Sequence, residues 1–361
     1  MKSKILLFSL TLIILASLLT SCMGGATSVA SNWPGLTANG GLAYLAFGQH
    51  VYAIDQANGS EKWRFPASTE KGGEFYASPA LTSDGQLIAG SFNHKIYSLD
   101  PANGTQKWVF EGAKDRYIAG PLVTEKGIYA PSSDGNLYAL DLNGKLKWTF
   151  ETQEALWATP TTNTECDCIY VASMDRHVYA VDAETGRQIW QSSDLGGSII
   201  GTPAYDPENK LVFVGTFGSE MIALNADTGQ VAWRVPTQEW VWSGPLLVDG
   251  VLYFGDETGS FYALSAVDGV QVWKIQPLPN SPIVGTPIFG DGIIYFTSES
   301  ASVYGINPDG TVARTHTVAA KLYTPPVWAN GNILVAEMEG DALVVALNEN
   351  GAQQWVFTPA K

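Results

Sequence analysis

The chain has 361 residues and a formal net charge of −15, and only 15% of its residues are charged. Such an acidic surface repels phosphate backbones, so we expect no nucleic-acid partner. The composition includes 37 glycines, 12 tryptophans and 45% hydrophobic residues, which suits a globular protein of many short strands and tight turns.

The first 21 residues have the layout of an export signal. A short basic segment with Lys2 and Lys4 precedes a mostly apolar run over residues 5–19, which is too short to span a bilayer as a helix. The run leads into a Leu-Thr-Ser-Cys sequence whose last residue is Cys22. This sequence resembles the lipobox of bacterial lipoproteins, a family in which the signal is removed before the cysteine and the thiol takes a diacylglycerol.

The lipobox resemblance predicts three parts: a signal peptide over residues 1–21, a lipidated Cys22 with a linker over residues 22–32, and a folded domain over residues 33–361. Lipid chains then hold the protein on a membrane. Met23 follows the cysteine in place of the aspartate associated with inner-membrane retention. We therefore expect the outer membrane, facing the periplasm, in a two-membrane cell, or the outer face of the membrane in a one-membrane cell.

The remainder of the chain repeats one pattern eight times, with the polar residue of each copy 40 to 45 residues from the next. Each copy has a strand that ends in this polar residue, then a glycine and, in seven copies, a tryptophan, and each is preceded by a proline. The seventh copy has Arg314-Thr315 in place of the tryptophan. The main positions are Asp55, Trp63, Asp100, Trp108, Asp141, Trp148, Asp182, Trp190, Asn225, Trp233, Trp273 and Trp355.

Between the proline and the polar residue, each copy has alternating apolar stretches separated by turn signals. Asp249-Gly250 is an example of such a hairpin signal. Each copy therefore reads as four antiparallel strands, and a sheet of this size buries both faces only by stacking on its neighbours. The sequence predicts an all-β, eight-bladed propeller that is monomeric. An open β-solenoid is the alternative, and the hairpin signals argue against it.

These repeats resemble the PQQ-like repeat, whose docking motif reads Ala-x-Asp-x-x-Thr-Gly-x-x-x-Trp. The copy over residues 180–190 matches every defined position, and the copy over residues 223–233 differs only by Asn225. The polar side chain is expected to accept backbone hydrogen bonds in its turn, and the glycine to provide a positive φ. The tryptophan ring is expected to pack between neighbouring blades.

Two classes of protein share this repeat. Quinoprotein alcohol dehydrogenases bind the quinone with Ca²⁺ and are much longer, and their site resembles a stack capped by a disulfide between adjacent cysteines. Here Cys166 and Cys168 are separated by Asp167, and they form either a local disulfide or two free thiols. The sequence also contains neither a Gly-x-Ser-x-Gly nor a His-Glu-x-x-His motif. We therefore expect no enzyme activity, no cofactor and no metal site.

BamB-type lipoproteins of outer-membrane protein assembly are similar in outline, with a lipobox, a short linker and eight PQQ-like blades. That resemblance implies a membrane-anchored scaffold with a protein or peptide partner, which in the family is the barrel-assembly machinery. Cell-surface carbohydrate binding stays open as a third class, because aromatic side chains on a propeller rim also stack on sugars.

The loops that join the tryptophan strand to the next proline vary most and contain large apolar residues. Loops on a rigid scaffold usually carry binding. Two interpretations stay open for these apolar residues: they cover the end of the core, or they form a rim around the central channel that captures a protein. The candidate partner-binding residues are Trp240, Trp242, Trp157, Arg116, Tyr117 and Tyr323.

Overall fold

The computed structural model describes residues 33–69, 72–338 and 340–360, so the expected signal peptide, Cys22 and the linker lie outside the described residues. Within these ranges the chain forms 32 strands in eight four-stranded antiparallel sheets. The sheets follow one another around a ring, which confirms the predicted eight-bladed, all-β propeller. No helix in the described ranges has the length and apolar character needed to cross a membrane.

Each blade takes its four strands from one continuous stretch of chain. Blade one contains β1 (Gly35–Asn39), β2 (Leu42–Phe47), β3 (His50–Asp55) and β4 (Glu61–Phe65). Blade two contains β5 (Ala80–Leu81), β6 (Leu87–Gly90), β7 (Ile96–Leu99) and β8 (Gln106–Phe110). Blade three contains β9 (Leu122–Thr124), β10 (Gly127–Pro131), β11 (Asn136–Leu140) and β12 (Leu146–Glu151). Blade four contains β13 (Thr161–Asn163), β14 (Cys168–Ala172), β15 (Val178–Asp182) and β16 (Gln188–Gln191).

The second half of the chain repeats this order. Blade five contains β17 (Ala204–Asp206), β18 (Leu211–Thr216), β19 (Glu220–Asn225) and β20 (Val231–Pro236). Blade six contains β21 (Leu246–Val248), β22 (Val251–Gly255), β23 (Phe261–Ser265) and β24 (Gln271–Ile275). Blade seven contains β25 (Ile288–Gly290), β26 (Ile293–Ser298), β27 (Ser302–Ile306) and β28 (Val312–Thr317). Blade eight contains β29 (Val327–Ala329), β30 (Asn332–Ala336), β31 (Val344–Asn348) and β32 (Gln353–Phe357).

The strands differ in burial according to their place in the blade. First strands of neighbouring blades contact each other, as β1 and β29 do, and so surround the central channel. The middle strands are buried along their length, and β14 is buried at every residue. The outer strands are more exposed than the middle strands, and β20 alternates between half-buried and exposed residues. Middle strands therefore read as continuous apolar runs, because both of their faces are covered.

The joint between two blades is an indole ring packed on a glycine. Trp190 of blade four is 8% exposed, and its Nε1–H donates to the carbonyl oxygen of Ala226 in blade five at 2.8 Å. Gly229 of the same turn has a φ of +72°, and a Cβ added there would lie 2.5 Å from the Trp190 ring. Any side chain at this glycine would therefore displace the indole.

Seven joints in the described chain share this geometry, with indole Nε1 to carbonyl oxygen distances of 2.7 to 3.1 Å. In each, the acceptor carbonyl belongs to the residue directly after the polar residue of the next blade's motif. A buried Trp removes about 150–250 Å² from water, worth about 4–6 kcal/mol as an upper bound. The tryptophan and glycine pairs are Trp63–Gly104, Trp108–Gly144, Trp148–Gly186, Trp190–Gly229, Trp233–Gly269, Trp273–Gly310 and Trp355–Gly59.

The polar residue of the motif organises the turn on which the indole rests. Oδ1 of Asp182 accepts hydrogen bonds at 2.8 Å from both the backbone N–H and the hydroxyl of Thr185. These hydrogen bonds hold the pKa of Asp182 below its usual range. Side-chain oxygens at the equivalent positions also accept backbone N–H groups of their own turns, at Asp55, Asp100, Asp141 and Asn225.

The ring closes by packing blade eight against blade one. Trp355 Nε1–H donates to the carbonyl oxygen of Gln56 at 2.7 Å, and Asn330 Nδ2 donates to Gln56 Oε1 at 2.6 Å. The four described strands of blade eight lie between Val327 and Phe357, so each of them comes from the C-terminal part of the chain. The closing joint therefore has the same chemistry as the joints within the ring.

Blade seven forms its joint with a different ring. Arg314 pairs with Gly305 at the register position that tryptophan occupies elsewhere, and its guanidinium donates to the hydroxyl of Tyr295 at 2.7 Å. His316 lies two residues further along the strand, and a Cβ added to Gly351 of blade eight would come 1.7 Å from its ring. Burial of this imidazole lowers its pKa. An aromatic ring thus covers the motif glycine here as well.

We predict that Trp190→Ala lowers the melting temperature by several degrees, since truncating a buried tryptophan costs about 3–5 kcal/mol. Thermal unfolding followed by circular dichroism measures the change. Trp240→Ala is the matched control, because Trp240 is 46% exposed and lies outside the joints. Equal melting temperatures for Trp190→Ala and the wild type would contradict the structural role of the indole.

Candidate functional site

The propeller has two rims of different construction. The motif rim consists of the turns between first and second strands and between third and fourth strands, as at residues 164–167 and 183–187 of blade four. The linker rim, at the opposite ends of the strands, consists of the turns between second and third strands and the linkers between blades. The candidate tryptophans at positions 157, 240 and 242 all lie in linkers.

Each linker ties two neighbouring blades together through its backbone. In the linker before blade six, the N–H of Val241 donates to the carbonyl oxygen of Thr216 in blade five at 3.2 Å. The carbonyl oxygen of Trp240 accepts from the N–H of Glu257 in blade six at 3.1 Å. Equivalent bonds recur in other linkers, so backbone hydrogen bonds fasten the linkers to the blades on either side.

The apolar linker residues occupy two kinds of position, one in the core and one at the mouth of the central channel, and capture of a protein at the channel mouth stays a prediction. In seven linkers one residue is at most 1% exposed and covers the end of the core: Phe75, Tyr117, Leu156, Ile199, Val241, Ile283 and Leu322. The residue after it lines the mouth of the central channel: Tyr76, Ile118, Trp157, Ile200, Trp242, Val284 and Tyr323. The side chains of adjacent linker residues therefore point alternately to the core and to the channel, as expected for extended backbone.

A continuous row of aromatic rings runs from the exposed rim to the channel mouth. Trp240, which is 46% exposed, stacks on Phe217 with ring centroids 5.0 Å apart and planes 14° apart. Phe217 contacts Trp242 at 5.3 Å, and Trp242 meets Trp33 edge to face at 5.7 Å. Trp240 and Trp242 are thus brought together by Phe217, which the linker pattern did not identify because it lies in the second turn of blade five.

The other candidate residues lie elsewhere around the linker rim. The indole N–H of Trp157 donates to Ser133 Oγ at 3.1 Å, and this side chain lines the channel mouth. The hydroxyl of Tyr323 donates to the Glu299 carboxylate. The guanidinium of Arg116 is exposed and lies over the ring of Phe92, 5.2 Å from its centroid.

Tyr117 departs from the expectation that it contributes to a binding rim. Its side chain is fully buried, with no exposed surface, and it packs between blades two and three against Ile96 and Tyr138. In the described part of the chain its hydroxyl has no hydrogen-bond partner, and burial raises its pKa. Tyr117 is the core-covering residue of its linker, so we leave it out of the binding surface.

A cavity of about 340 Å³ opens beside the aromatic row, between blades five, six and seven. Its wall includes Trp33, Trp242 and Ser243, together with the carboxylates of Glu257 and Glu299. The two glutamates occupy the same repeat position as Phe217, directly after the second strand's last residues. Aligning the second turns of the eight copies would have revealed these glutamates, because they replace apolar residues of neighbouring copies.

The two carboxylates of this cavity differ in charge compensation. Burial acts to raise the pKa of Glu299, but hydrogen bonds from Lys321 and Tyr323 bring it below its usual range. Burial, together with the charges of Glu299, Asp256 and Glu239, raises the pKa of Glu257 to about 6. The ionised form of Glu257 is therefore disfavoured by partial burial and by neighbouring charges of the same sign.

The described residues do not fit a quinone with Ca²⁺. Cys166 and Cys168 form a disulfide within the first hairpin of blade four. Of the two alternatives for these cysteines, a local disulfide or two free thiols, the structure has the disulfide. That hairpin belongs to the motif rim, away from the cavity at the channel mouth. Across the described ranges, no group of three or more His, Cys, Asp or Glu side chains could hold a metal ion.

We predict that Tyr117→Phe leaves the melting temperature unchanged or raises it, because the lost hydroxyl is buried without a partner. Tyr117→Ala, in contrast, is expected to cost about 3–5 kcal/mol of stability, since it opens a cavity between two blades. Calorimetry on both variants gives the comparison. A strong loss of stability in Tyr117→Phe would show that the hydroxyl has a partner.

Comparison with known proteins supports this architecture. The sequence profile of the family described as "Outer membrane protein assembly factor BamB" matches residues 48–193 and 174–320. Among curated proteins, none matches the chain. The crystal structure of BamB from Moraxella catarrhalis is 17% identical and has a TM-score of 0.72, over 86% of this chain and 92% of that chain. The computationally designed Ika8 protein is 13% identical with a TM-score of 0.74, over 91% of this chain and 96% of that chain.

At these identities the two solved structures show the fold alone. The family profile goes further, because its matches extend from the end of β2 in blade one to the linker before blade eight. They confirm the PQQ-like, BamB-type resemblance found in the repeats. The chain therefore belongs to the family of the outer membrane protein assembly factor BamB.

Proposed function

We propose that this protein is an exported, lipid-anchored scaffold that holds a protein partner on its linker rim, as its membership of the BamB family suggests. In a two-membrane cell the partner is a component of the machinery that inserts β-barrel proteins, and the scaffold faces the periplasm. The protein works by binding and not by catalysis. The observation that carries this proposal is the row of aromatic rings that ends at the exposed Trp240.

The aromatic row has the properties of an interaction hot spot. Trp240 is one of the large hydrophobic side chains that the described surface leaves exposed, and its ring is held flat by Phe217 beneath it. A ring held in place by packing loses little conformational entropy when a partner covers it. Large aromatic anchors of this kind dominate the energy of protein interfaces.

The rigid linker rim makes this surface suitable for a scaffold. Backbone hydrogen bonds connect the linker at Trp240 to both blade five and blade six. A partner can therefore bind without ordering a loop first, which removes one cost of association. Trp157 and Arg116, on other linkers of the same rim, extend the proposed surface around the channel mouth.

The anchor follows from the Leu-Thr-Ser-Cys22 sequence, and its role is to keep the scaffold next to membrane-bound machinery. Restricting a binding module to a membrane surface raises its effective concentration toward partners in that membrane. One acyl chain gives only reversible attachment, so at least two chains are expected on Cys22.

We predict that the double change Trp240→Ala, Trp242→Ala reduces capture of the barrel-assembly protein by roughly tenfold or more, as expected for removing a hot spot worth about 2 kcal/mol. Co-purification from detergent-solubilised envelopes of the source cell measures capture. Val267→Ala is the matched control, since Val267 is 60% exposed in a turn of the motif rim.

Melting temperatures near the wild-type value would show that the double variant is folded. Normal capture by a folded double variant would place the partner elsewhere. Glycan-array binding that is lost with the same two tryptophans would favour a carbohydrate ligand over the assembly partner.

We predict that Cys22→Ser moves the protein from the membrane fraction to the soluble extracytoplasmic fraction, because acyl chains can no longer be attached. Fractionation with immunoblotting, and intact-mass measurement of the purified protein, check this outcome. Ser28→Ala, in the expected linker, is the control. Membrane retention and an unchanged mass shift in Cys22→Ser would contradict a lipid anchor at this residue.

A further inference from the structure

The second turns of the blades hold one equivalent residue each, whose N–H donates to a linker carbonyl. In the described chain these residues are Phe92, Ser133, Met174, Phe217, Glu257, Glu299 and Met338. The two glutamates are in blades six and seven, which are neighbours, so the negative charge is concentrated in one sector of the ring. This sector is also the wall of the 340 Å³ cavity beside the aromatic row.

The negative charge in this sector is only partly compensated. Lys321 forms an ion pair with Glu299 at 2.6 Å, and the Tyr323 hydroxyl donates to the same carboxylate. The carboxylate of Glu257 takes part in none of the hydrogen bonds or ion pairs formed by the described residues. The charged groups that face it are Glu299, Asp256 and Glu239, all of the same sign. A half-buried carboxylate in this setting gains stability from any cation that enters.

A second polar group of the same cavity also lacks a partner. Ser243, whose side chain is 2% exposed, lines the cavity, and its Oγ has no hydrogen-bond partner within the described residues. Buried hydroxyl groups are normally hydrogen-bonded, so an orphan in a cavity wall indicates a site for a donor or acceptor from outside. Ser243 and Trp242 both line this cavity.

The remaining wall of the cavity suits a flat cation. Trp33 and Trp242 meet edge to face at 5.7 Å and 80°, and both line the cavity. Indole faces attract cations, and a guanidinium can stack on them while donating hydrogen bonds in its plane. A volume of about 340 Å³ has room for one long side chain and not for a strand or helix.

We propose that this cavity is a specificity pocket for one cationic side chain of the protein partner, with arginine preferred over lysine. This inference rests on the proposed scaffold function and adds the chemistry of the partner to it. The carboxylate of Glu257 receives N–H groups of the guanidinium, and the Trp242 ring packs on its plane. Arginine is preferred because its five N–H donors lie in one plane, whereas the lysine ammonium is a strongly hydrated point charge.

The test uses N-acetyl-argininamide as the probe and N-acetyl-citrullinamide as its neutral isostere. Indole Nε1–H resonances of Trp33 and Trp242, assigned with Trp33→Phe and Trp242→Phe, report binding by NMR. We expect saturable shifts with the arginine probe, none with the citrulline probe, and at least tenfold weaker binding to Glu257→Gln. Glu349→Gln, which removes the same charge from an exposed turn, is the control and should bind as the wild type does.

The pH dependence gives a second readout. Glu257, with its pKa raised to about 6, is mostly ionised at pH 7.5 and mostly neutral at pH 5, so affinity for the arginine probe should fall through this interval. The fall should be absent in Glu257→Gln. This variant should also melt at or above the wild-type temperature at pH 7.5, because an uncompensated charge is removed, so weak binding would not reflect unfolding.

The proposed arginine pocket would be wrong if the indole resonances shift equally with both probes, if they show no saturable shift, or if Glu257→Gln binds the arginine probe with unchanged affinity. The titration needs no partner protein, so its failure is separate from failure of the scaffold function. If partner capture depends on Trp240 but the arginine probe does not bind, the proposed binding rim stands and only the proposed arginine pocket is wrong.

Discussion

The contact between an indole ring and a bare glycine joins one blade to the next, and the rest of the structure depends on it. At the joint between blades four and five, Trp190 covers Gly229 so closely that a single methyl group would displace it. The positive φ of the same glycine allows the turn whose carbonyl accepts the indole N–H. Gly229 thus meets a conformational and a steric requirement at once, because it allows the positive φ of the turn and leaves room for the indole ring.

The indole joints lie toward the motif rim, and the linker rim connects neighbouring blades in a different way. Its linkers bridge blades through backbone N–H and carbonyl groups, as Val241 and Trp240 do, and these bonds place no demand on side-chain identity. Apart from the buried residue of each linker, side chains there are free to differ from blade to blade. The aromatic row ending at Trp240 and the carboxylate of Glu257 are two such differences, and both lie on the surface where we propose that a partner binds.

The sequence predicts the structure correctly where the relevant contacts are between residues close together in the chain. The Asp182 to Trp190 copy contains its own turn, and the hydrogen bonds of the Asp182 side chain connect residues two or three apart. Spacing alone therefore predicts the strand, the turn and the ring. Prediction from the sequence fails at Tyr117. Adjacent linker residues alternate between core and channel, and a list of large apolar residues does not reveal which of them is buried in the core.

By itself, the sequence determined the number of blades, the order of strands and turns within each, and the packing of tryptophan between blades, because each of these depends on a short segment repeated in step. Only the tertiary structure decided which side chains from different blades meet. Trp240 and Phe217 lie 23 residues apart, and His316 replaces the missing indole over Gly351 of the next blade. Contacts of this kind depend on how the ring closes in space, and no spacing along the chain encodes them.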